Sequence, residues 1–364
     1  MSEAAAQRRN PLFTRGEYCD SKGRNYYFDN AKFILIFLVV MAHAISPMQN
    51  YIPAVSMLWR VCNVFHMPCM IFISGYFAKR YIRNGVINVQ RPVTYAILYL
   101  AAQISVGAFE YLVLKNTVAP SILNARSSLW FLQCLVWWYL LLPILDRFEP
   151  KYVMAGVMLV GLFAGYDMKI GNFMAVSRML VHMPFFMAGY YIKPEMIEKL
   201  YTKKAKLLSI PALLAVLLIT FVTHGVSVGN VITCNVNFWE IFWNPQKIAG
   251  VSPLLWWAVR LACYVTAALM CFAFLVWVPR CKTFFTKFGS RTLQVYILHR
   301  FLYLAEQKYE WWKPLCSGKG AVLMILIALA LTFILSLKPF SLPFDALQSI
   351  KVTKLLKKEN TQRA

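Results

Sequence analysis

The chain has 364 residues, of which 59% are hydrophobic and 15% charged, and its formal net charge at pH 7 is +23. This composition excludes a soluble domain, because several apolar runs are long enough to cross a bilayer. The basic residues lie in short clusters between those runs, which is typical of membrane proteins and argues against nucleic acid as a partner. The sequence therefore predicts an all-α, polytopic bundle in the lipid bilayer.

Ten apolar segments are predicted to be transmembrane helices. They cover residues 31–48, 55–78, 92–114, 128–146, 152–167, 174–193, 207–224, 252–278, 289–306 and 320–340. Because the connections are mostly short, we expect one membrane domain at 29–340, between a basic tail at 1–28 and a basic tail at 341–364. The first tail has no cleavable signal peptide, so the first helix is expected to direct insertion.

The first segment carries two cationic or titratable side chains on one face. Asp29 or Asn30 is predicted to cap the helix, and Pro47 lies where it should end. Lys32 and His43 are 11 positions apart, which is three turns plus about 20°, and roughly 16 Å along the axis. An imidazole at that depth costs free energy, so we hypothesise a functional role for His43. The structural alternative is a histidine that only braces neighbouring helices.

Later segments add further polar residues within apolar surroundings. The candidates for binding a substrate are His66, Arg178, His182, Tyr296 and His299. Arg178 and His182 are four apart and so share a helix face, and Gly75 is expected to permit a close helix contact. The loop at 225–250 is rich in Asn and Trp, which suits either a polar, ring-shaped ligand or an interfacial aromatic belt.

The distribution of basic residues predicts the orientation in the membrane. If the N-terminus is cytoplasmic, 25 of the 38 lysines and arginines lie on the cytoplasmic side, 7 on the other side and 6 within the segments. Cytoplasmic loops carry the excess of Lys and Arg in membrane proteins. Both termini are therefore predicted to be cytoplasmic.

This topology predicts a specific labelling pattern. Single cysteines placed at 225–230 should react with an impermeant reagent from outside the cell. Single cysteines placed at 203–206 should react only after permeabilisation. The reverse pattern would contradict the predicted orientation.

Three motifs together resemble the acyltransferase 3 family of integral-membrane acyltransferases, most closely its fucose 4-O-acetylase-like branch. The first is a basic residue, ten residues and a histidine, met by Lys32 and His43 after Asp29. The second is FHMPCMIFISGYF followed by the pair Arg80 and Arg83. The third is GSRTLQVYILH, with the WFL run at 130–132 as a weaker mark. The resemblance covers residues of about 25–340.

The resemblance implies transfer of an acyl group, usually acetyl from acyl-CoA, to a hydroxyl of a carbohydrate or similar acceptor. It implies His43 as the catalytic residue, and Arg80 and Arg83 as part of the donor-binding site. Lys32 is expected to add a point charge for the donor phosphates, and Asp29 is predicted as a second catalytic residue. No metal is expected, because the nine cysteines show no CxxC or ligand spacing. Many members carry a glutamate near the WFL motif, whereas in this chain Gln133 follows Leu132. Some members also carry a soluble C-terminal domain that finishes the transfer. The membrane bundle of this chain is therefore expected either to do the whole reaction or to hand over to a partner protein, and a homo-oligomer is a further possible assembly.

Two other functions compete with acyl transfer. A transporter or flippase of a glycan or lipid precursor would also place arginine and histidine inside the membrane. The chain does not show two similar halves with interrupted helices, which is the pattern expected of many transporters. A catalytically inactive membrane scaffold is the third interpretation.

Overall fold

The structure, a computed structural model, describes residues 25–83, 85–117, 121–167, 169–171, 173–222 and 252–351. Within these residues it is a bundle of α-helices with one small β-hairpin. The helices are α1 Tyr26–Ile45, α2 Pro53–Ala78, α3 Gln90–Leu112, α4 Trp130–Leu145, α5 Pro150–Phe163, α6 Val176–Tyr191, α7 Pro194–Lys199, α8 Lys203–Val222, α9 Trp256–Trp277, α10 Thr292–Tyr309, α11 Gly318–Leu335 and α12 Lys338–Ser349. Strand β1 Ile82–Arg83 pairs antiparallel with β2 Val86–Ile87. Short 3₁₀ turns lie at Ser46–Asn50, Ser127–Leu129, Ala164–Tyr166, Phe173–Ala175, Pro253–Leu255, Thr286–Phe288 and Lys313–Leu315.

Within the described residues, each predicted apolar segment lies mostly on helix, but fewer of these helices qualify as spans than expected. In the described residues, six are long and apolar enough to cross a membrane: α1 with its following turn, α2, α3, α8, α9 and α11. Helix α4 has 16 residues and α5 has 14, which correspond to about 24 and 21 Å, less than a hydrocarbon core of about 30 Å. Six candidate spans are thus present, and ten crossings stay a prediction.

Helices α7 and α12 were not predicted. Helix α12 lies mostly within the region expected to be a basic tail, and it packs against α3 and α10. Helix α12 has only 12 residues, and polar residues are interspersed among its apolar ones. It therefore lacks the long apolar run that predicted the other helices. The C-terminal tail is therefore helical up to Ser349.

The start of α1 differs from the prediction. Asn25 is the cap, and its side-chain oxygen accepts a hydrogen bond from the Tyr27 amide at 2.9 Å. The prediction of Asp29 or Asn30 as the cap was wrong, because the helix begins three residues before Asp29. Asn30 is fully buried, and its amide donates to the carbonyls of Pro279 and Cys281 at 2.9 Å. It thereby joins α1 to the loop before α10.

Helices α2 and α6 make a backbone-to-backbone contact. A Cβ atom on Gly75 would overlap the carbonyl oxygen of Phe186, and one on Gly189 would overlap that of Phe72. The absence of side chains at these two positions lets the helix axes approach closely, as expected for small residues between membrane helices. The predicted role of Gly75 is confirmed, and the contact brings the His66 helix beside the His182 helix.

Hydrogen bonds from side chains to backbone carbonyls join further helices to α6 and to each other. Trp138 on α4 donates to Met179 on α6 at 3.0 Å, and Tyr264 on α9 donates to Val181 at 2.6 Å. Tyr27 at the start of α1 donates to Leu275 on α9 at 2.8 Å. Water is scarce in the bilayer core, so such bonds satisfy buried donors and fix the helix positions.

Candidate functional site

Four of the five histidines of the chain lie together in the interior of the bundle. They come from α1, α2, α6 and α10: His43, His66, His182 and His299. His66, His182 and His299 are buried, whereas His43 is partly exposed. The same interior contains Arg178, Tyr296, Arg300 and Tyr303, and each of them is within electrostatic range of at least one other member of the group. We call these eight residues the interior polar cluster. His224 lies outside the described residues, as does the 225–250 loop.

His43 is in contact with two rings of α10. Its ring centroid is 5.3 Å from that of His299, with the planes inclined at 29°, and 4.9 Å from that of Tyr303. His43 is the least buried of the four histidines, and its ring lies against those of His299 and Tyr303. His43 is therefore the imidazole of the cluster best placed to exchange a proton with a substrate.

Backbone carbonyls hold two of the buried histidines. The Nδ1 of His299 lies 2.9 Å from the Val295 oxygen, and the Nδ1 of His66 lies 2.5 Å from the Cys62 oxygen. A carbonyl accepts only, so in each ring Nδ1 carries the proton and Nε2 is left as an acceptor. The Nε2 of His299 has no hydrogen-bond partner among the described residues. It is thus an acceptor facing the interior beside His43.

One face of α10 supplies half of the cluster. Tyr296, His299, Arg300 and Tyr303 follow the spacing i, i+3, i+4, i+7, which places them on one side of a helix. Arg300 is 1% exposed, and its Cζ lies 4.5 Å from the centroid of the Tyr303 ring. The Tyr303 hydroxyl accepts a hydrogen bond from Gln307 at 2.8 Å. Sequence reasoning selected only Tyr296 and His299, although this spacing would have identified the other two.

Trp130 connects α4 to the cationic side of the cluster. Its ring stacks on His182 at 5.4 Å, and the Arg178 guanidinium lies 4.9 Å from its centroid. Gln133, three residues on, donates to the Leu123 carbonyl at 2.7 Å and so holds the loop before α4. All five predicted substrate-binding residues lie with His43 in the interior polar cluster, and the WFL run contributes Trp130 beside them.

Asp29 and Lys32 lie at the opposite end of α1 from His43. The Asp29 carboxylate is 2.9 Å from the Lys32 ammonium, which lies 5.5 Å from the Phe77 ring of α2. Asp29 precedes His43 by 14 residues, or about 21 Å of helix. The structure therefore places Asp29 beside Lys32, not beside His43, and the expected catalytic role of Asp29 cannot come from contact with His43.

The end of α2 lies next to this pair and is basic. Lys79 donates to the Ile192 carbonyl and lies 4.4 Å from the Tyr76 ring. Burial lowers the pKa of Lys79 to about 8, against the opposing effect of Glu195. Arg80 is exposed, and Arg83 lies three residues on, in β1. The predicted donor-binding residues are thus grouped near one end of the bundle.

Comparisons with known proteins identify the family of the chain. The family model described as an acyltransferase domain, acyltransferase 3, matches residues 25–338. No curated protein and no solved structure matches the chain. Within the described residues, no group of three or more His, Cys, Asp or Glu side chains is arranged to hold a metal ion. The family model spans most of the chain and includes every helix of the interior polar cluster, and so the chain belongs to the acyltransferase 3 family.

Proposed function

We propose that this acyltransferase moves an acetyl group from acetyl-CoA to a hydroxyl of a carbohydrate or other small acceptor. The observation that supports this most is the position of the His43 imidazole, which lies between the rings of His299 and Tyr303 inside the bundle. Lys32 lies on the same helix, roughly 16 Å away along the axis. A phosphate-binding end and a proton-accepting centre are thereby separated by about the reach of the pantetheine arm of CoA.

The proposed reaction uses His43 as the general base. Its imidazole takes the proton of the acceptor hydroxyl while the hydroxyl oxygen forms a bond to the thioester carbon. The tetrahedral intermediate then collapses, the carbon–sulfur bond breaks, and the CoA sulfur takes the proton back from the imidazolium. General-base help of this kind typically increases the rate by about 10²–10⁴. His66, Arg178, His182, Tyr296 and His299 are proposed to hold the acceptor.

The donor is proposed to enter from the cytoplasmic end. Lys32, Arg80 and Arg83 would hold the phosphates of CoA, because guanidinium groups make paired hydrogen bonds to phosphate oxygens. The acceptor would enter from the opposite side. This assignment rests on the orientation in which both termini are cytoplasmic.

One assay separates the proposed enzyme from a transporter or a scaffold. Purified protein in lipid vesicles is supplied with labelled acetyl-CoA and a panel of acceptors, and free CoA is measured. An acyltransferase releases CoA in proportion to the acceptor added. A flippase of a glycan precursor moves its cargo without consuming acetyl-CoA, and a scaffold does neither.

Donor binding can be tested at the arginine pair. In the Arg80→Ala, Arg83→Ala double variant, acetyl-CoA should bind more weakly, and the remaining affinity should depend less on salt, because phosphate contacts are lost. Acceptor binding should change little. Isothermal titration with CoA at two salt concentrations measures both effects.

The matched control removes two other basic side chains from the same predicted side of the membrane. Lys203 and Lys204 are exposed at the start of α8. Their double alanine variant should bind CoA normally. An equal loss in both double variants would mean that net charge, not the arginine pair, attracts the donor.

A further inference from the structure

Arg300 carries a buried charge that direct contacts in the described part of the chain do not neutralise. It is 1% exposed, and none of its three guanidinium nitrogens has a hydrogen-bond partner among the described residues. Glu110 is within electrostatic range, but its carboxylate lies 2.9 Å from Arg126 and is already paired. A buried, unpaired charge is strongly unfavourable, so a ligand that pairs with it would gain much of that free energy.

The other charges of the interior do not offset Arg300. The interior polar cluster contains a second arginine, Arg178, and Arg260 is buried within electrostatic range of His182. Glu306 is six residues beyond Arg300 on α10, about 9 Å along the axis and about 120° away around it. It forms no ion pair with Arg300 in the described structure. The surroundings of His43 therefore favour a negatively charged ligand group.

The position of Arg300 relates this charge to the reacting centre. Tyr303 is the common neighbour: its ring centroid is 4.5 Å from the Arg300 Cζ and 4.9 Å from the His43 ring. A single sugar-sized molecule could thus contact both groups. The acetyl group and pantetheine arm of the donor are uncharged, and its phosphates are proposed to stay near Lys32. The anion for Arg300 must then come from the acceptor.

We propose that Arg300 binds a carboxylate of the acceptor, which makes the acceptor an acidic sugar or a comparable hydroxy acid. This rests on the proposed acetyl transfer. A guanidinium presents a planar fork that fits the two oxygens of a carboxylate, and one such monoanion balances one arginine. The bound carboxylate would also offset the repulsion between Arg300 and the imidazolium that forms on His43 during the reaction. The acceptor would in this way help its own acetylation.

The charge of the natural product tests the proposal even before the acceptor is identified. Membranes from cells that make the protein, and from matched cells that lack it, are incubated with [¹⁴C]acetyl-CoA. The product is released from any lipid by mild acid, digested to its smallest labelled unit and treated with phosphatase. We expect this unit to bind an anion exchanger. A neutral unit would overturn the role of Arg300 while acetyl transfer stands, and no protein-dependent label would overturn the proposed function itself.

The Arg300→Gln variant tests the residue directly. With the product's parent acceptor, the acceptor KM should rise by at least about tenfold, whereas the KM for acetyl-CoA should not change. The acceptor KM of Arg300→Lys should lie between those of the parent and Arg300→Gln, because lysine keeps the positive charge but loses the paired hydrogen bonds of the guanidinium. Arg60→Gln, on α2 outside the interior polar cluster, should match the parent. A fall in kcat with an unchanged acceptor KM would place Arg300 on the oxyanion of the transition state and overturn the proposal.

Thermal stability gives a readout that does not depend on activity. Arg300 makes no hydrogen bond or ion pair in the described structure, so Arg300→Gln should keep or raise the Tm of the purified protein. A clearly lower Tm would show that Arg300 stabilises the fold, and the carboxylate-binding role would then be wrong.

Discussion

The His43→Gln variant should insert and bind acetyl-CoA, yet transfer acetyl at least about two orders of magnitude more slowly. An amide can replace the hydrogen bonds of an imidazole, but it takes up no proton at neutral pH. The variant therefore separates a bracing role from a general-base role. Initial rates of acetyl transfer, with CoA binding measured on the same preparation, provide the test.

Two further results belong to this prediction. His66→Gln should lose less activity, because an amide can still donate to the Cys62 carbonyl. The parent enzyme should slow on acidification, as the base form of the imidazole disappears. Near-normal turnover by His43→Gln would exclude His43 as the base and would direct the search to His66, His182 and His299.

Gly189→Ala should destabilise the protein by about 1–3 kcal/mol or more. The added methyl would overlap the carbonyl oxygen of Phe72, and backbone atoms cannot rotate away as a side chain can. Helices α2 and α6 would have to separate, and His66 and His182 would separate with them. We expect a lower Tm in detergent and a lower kcat.

The control for this substitution is Gly156→Ala on α5. A Cβ atom there meets nothing within 4 Å, and alanine favours a helix over glycine by roughly 0.5–1 kcal/mol. The Tm of Gly156→Ala should therefore stay the same or rise. Equal Tm values for the two variants would mean that α2 and α6 do not meet at their glycines.

The helices and most of the cluster were predictable because each rests on a local pattern. Apolar runs identify helices, and a histidine or arginine within such a run is conspicuous, which is how His43, His66, His182 and His299 were found. Arg300 was seen only as an intramembrane charge. The importance of Arg300 depends on its surroundings in the fold. No periodicity shows that Glu110 pairs with Arg126, or that the Arg300 guanidinium has no hydrogen-bond partner among the described residues.

Other errors come from interactions between distant residues. Asn25, and not Asp29 or Asn30, is the N-cap of α1. The Asp29 carboxylate pairs with Lys32, and the Asn30 amide donates to a backbone carbonyl about 250 residues away. Sequence spacing along α1 gave the separation of Lys32 and His43, since both lie on one unbroken helix. The partner of each helix, such as α6 for α2, could not be read from a local pattern.

The interior polar cluster draws its histidines from positions 43, 66, 182 and 299, so its parts are synthesised at very different times. At about 5–20 residues per second, α10 emerges tens of seconds after α1. During that interval, the inserted helices hold His43 without His299, Arg300 or Tyr303. A nascent chain therefore lacks the full cluster until α10 has been synthesised. Ribosome-bound chains that end before residue 292 should be inert. Two separately expressed pieces divided within residues 225–250 should regain activity when they associate.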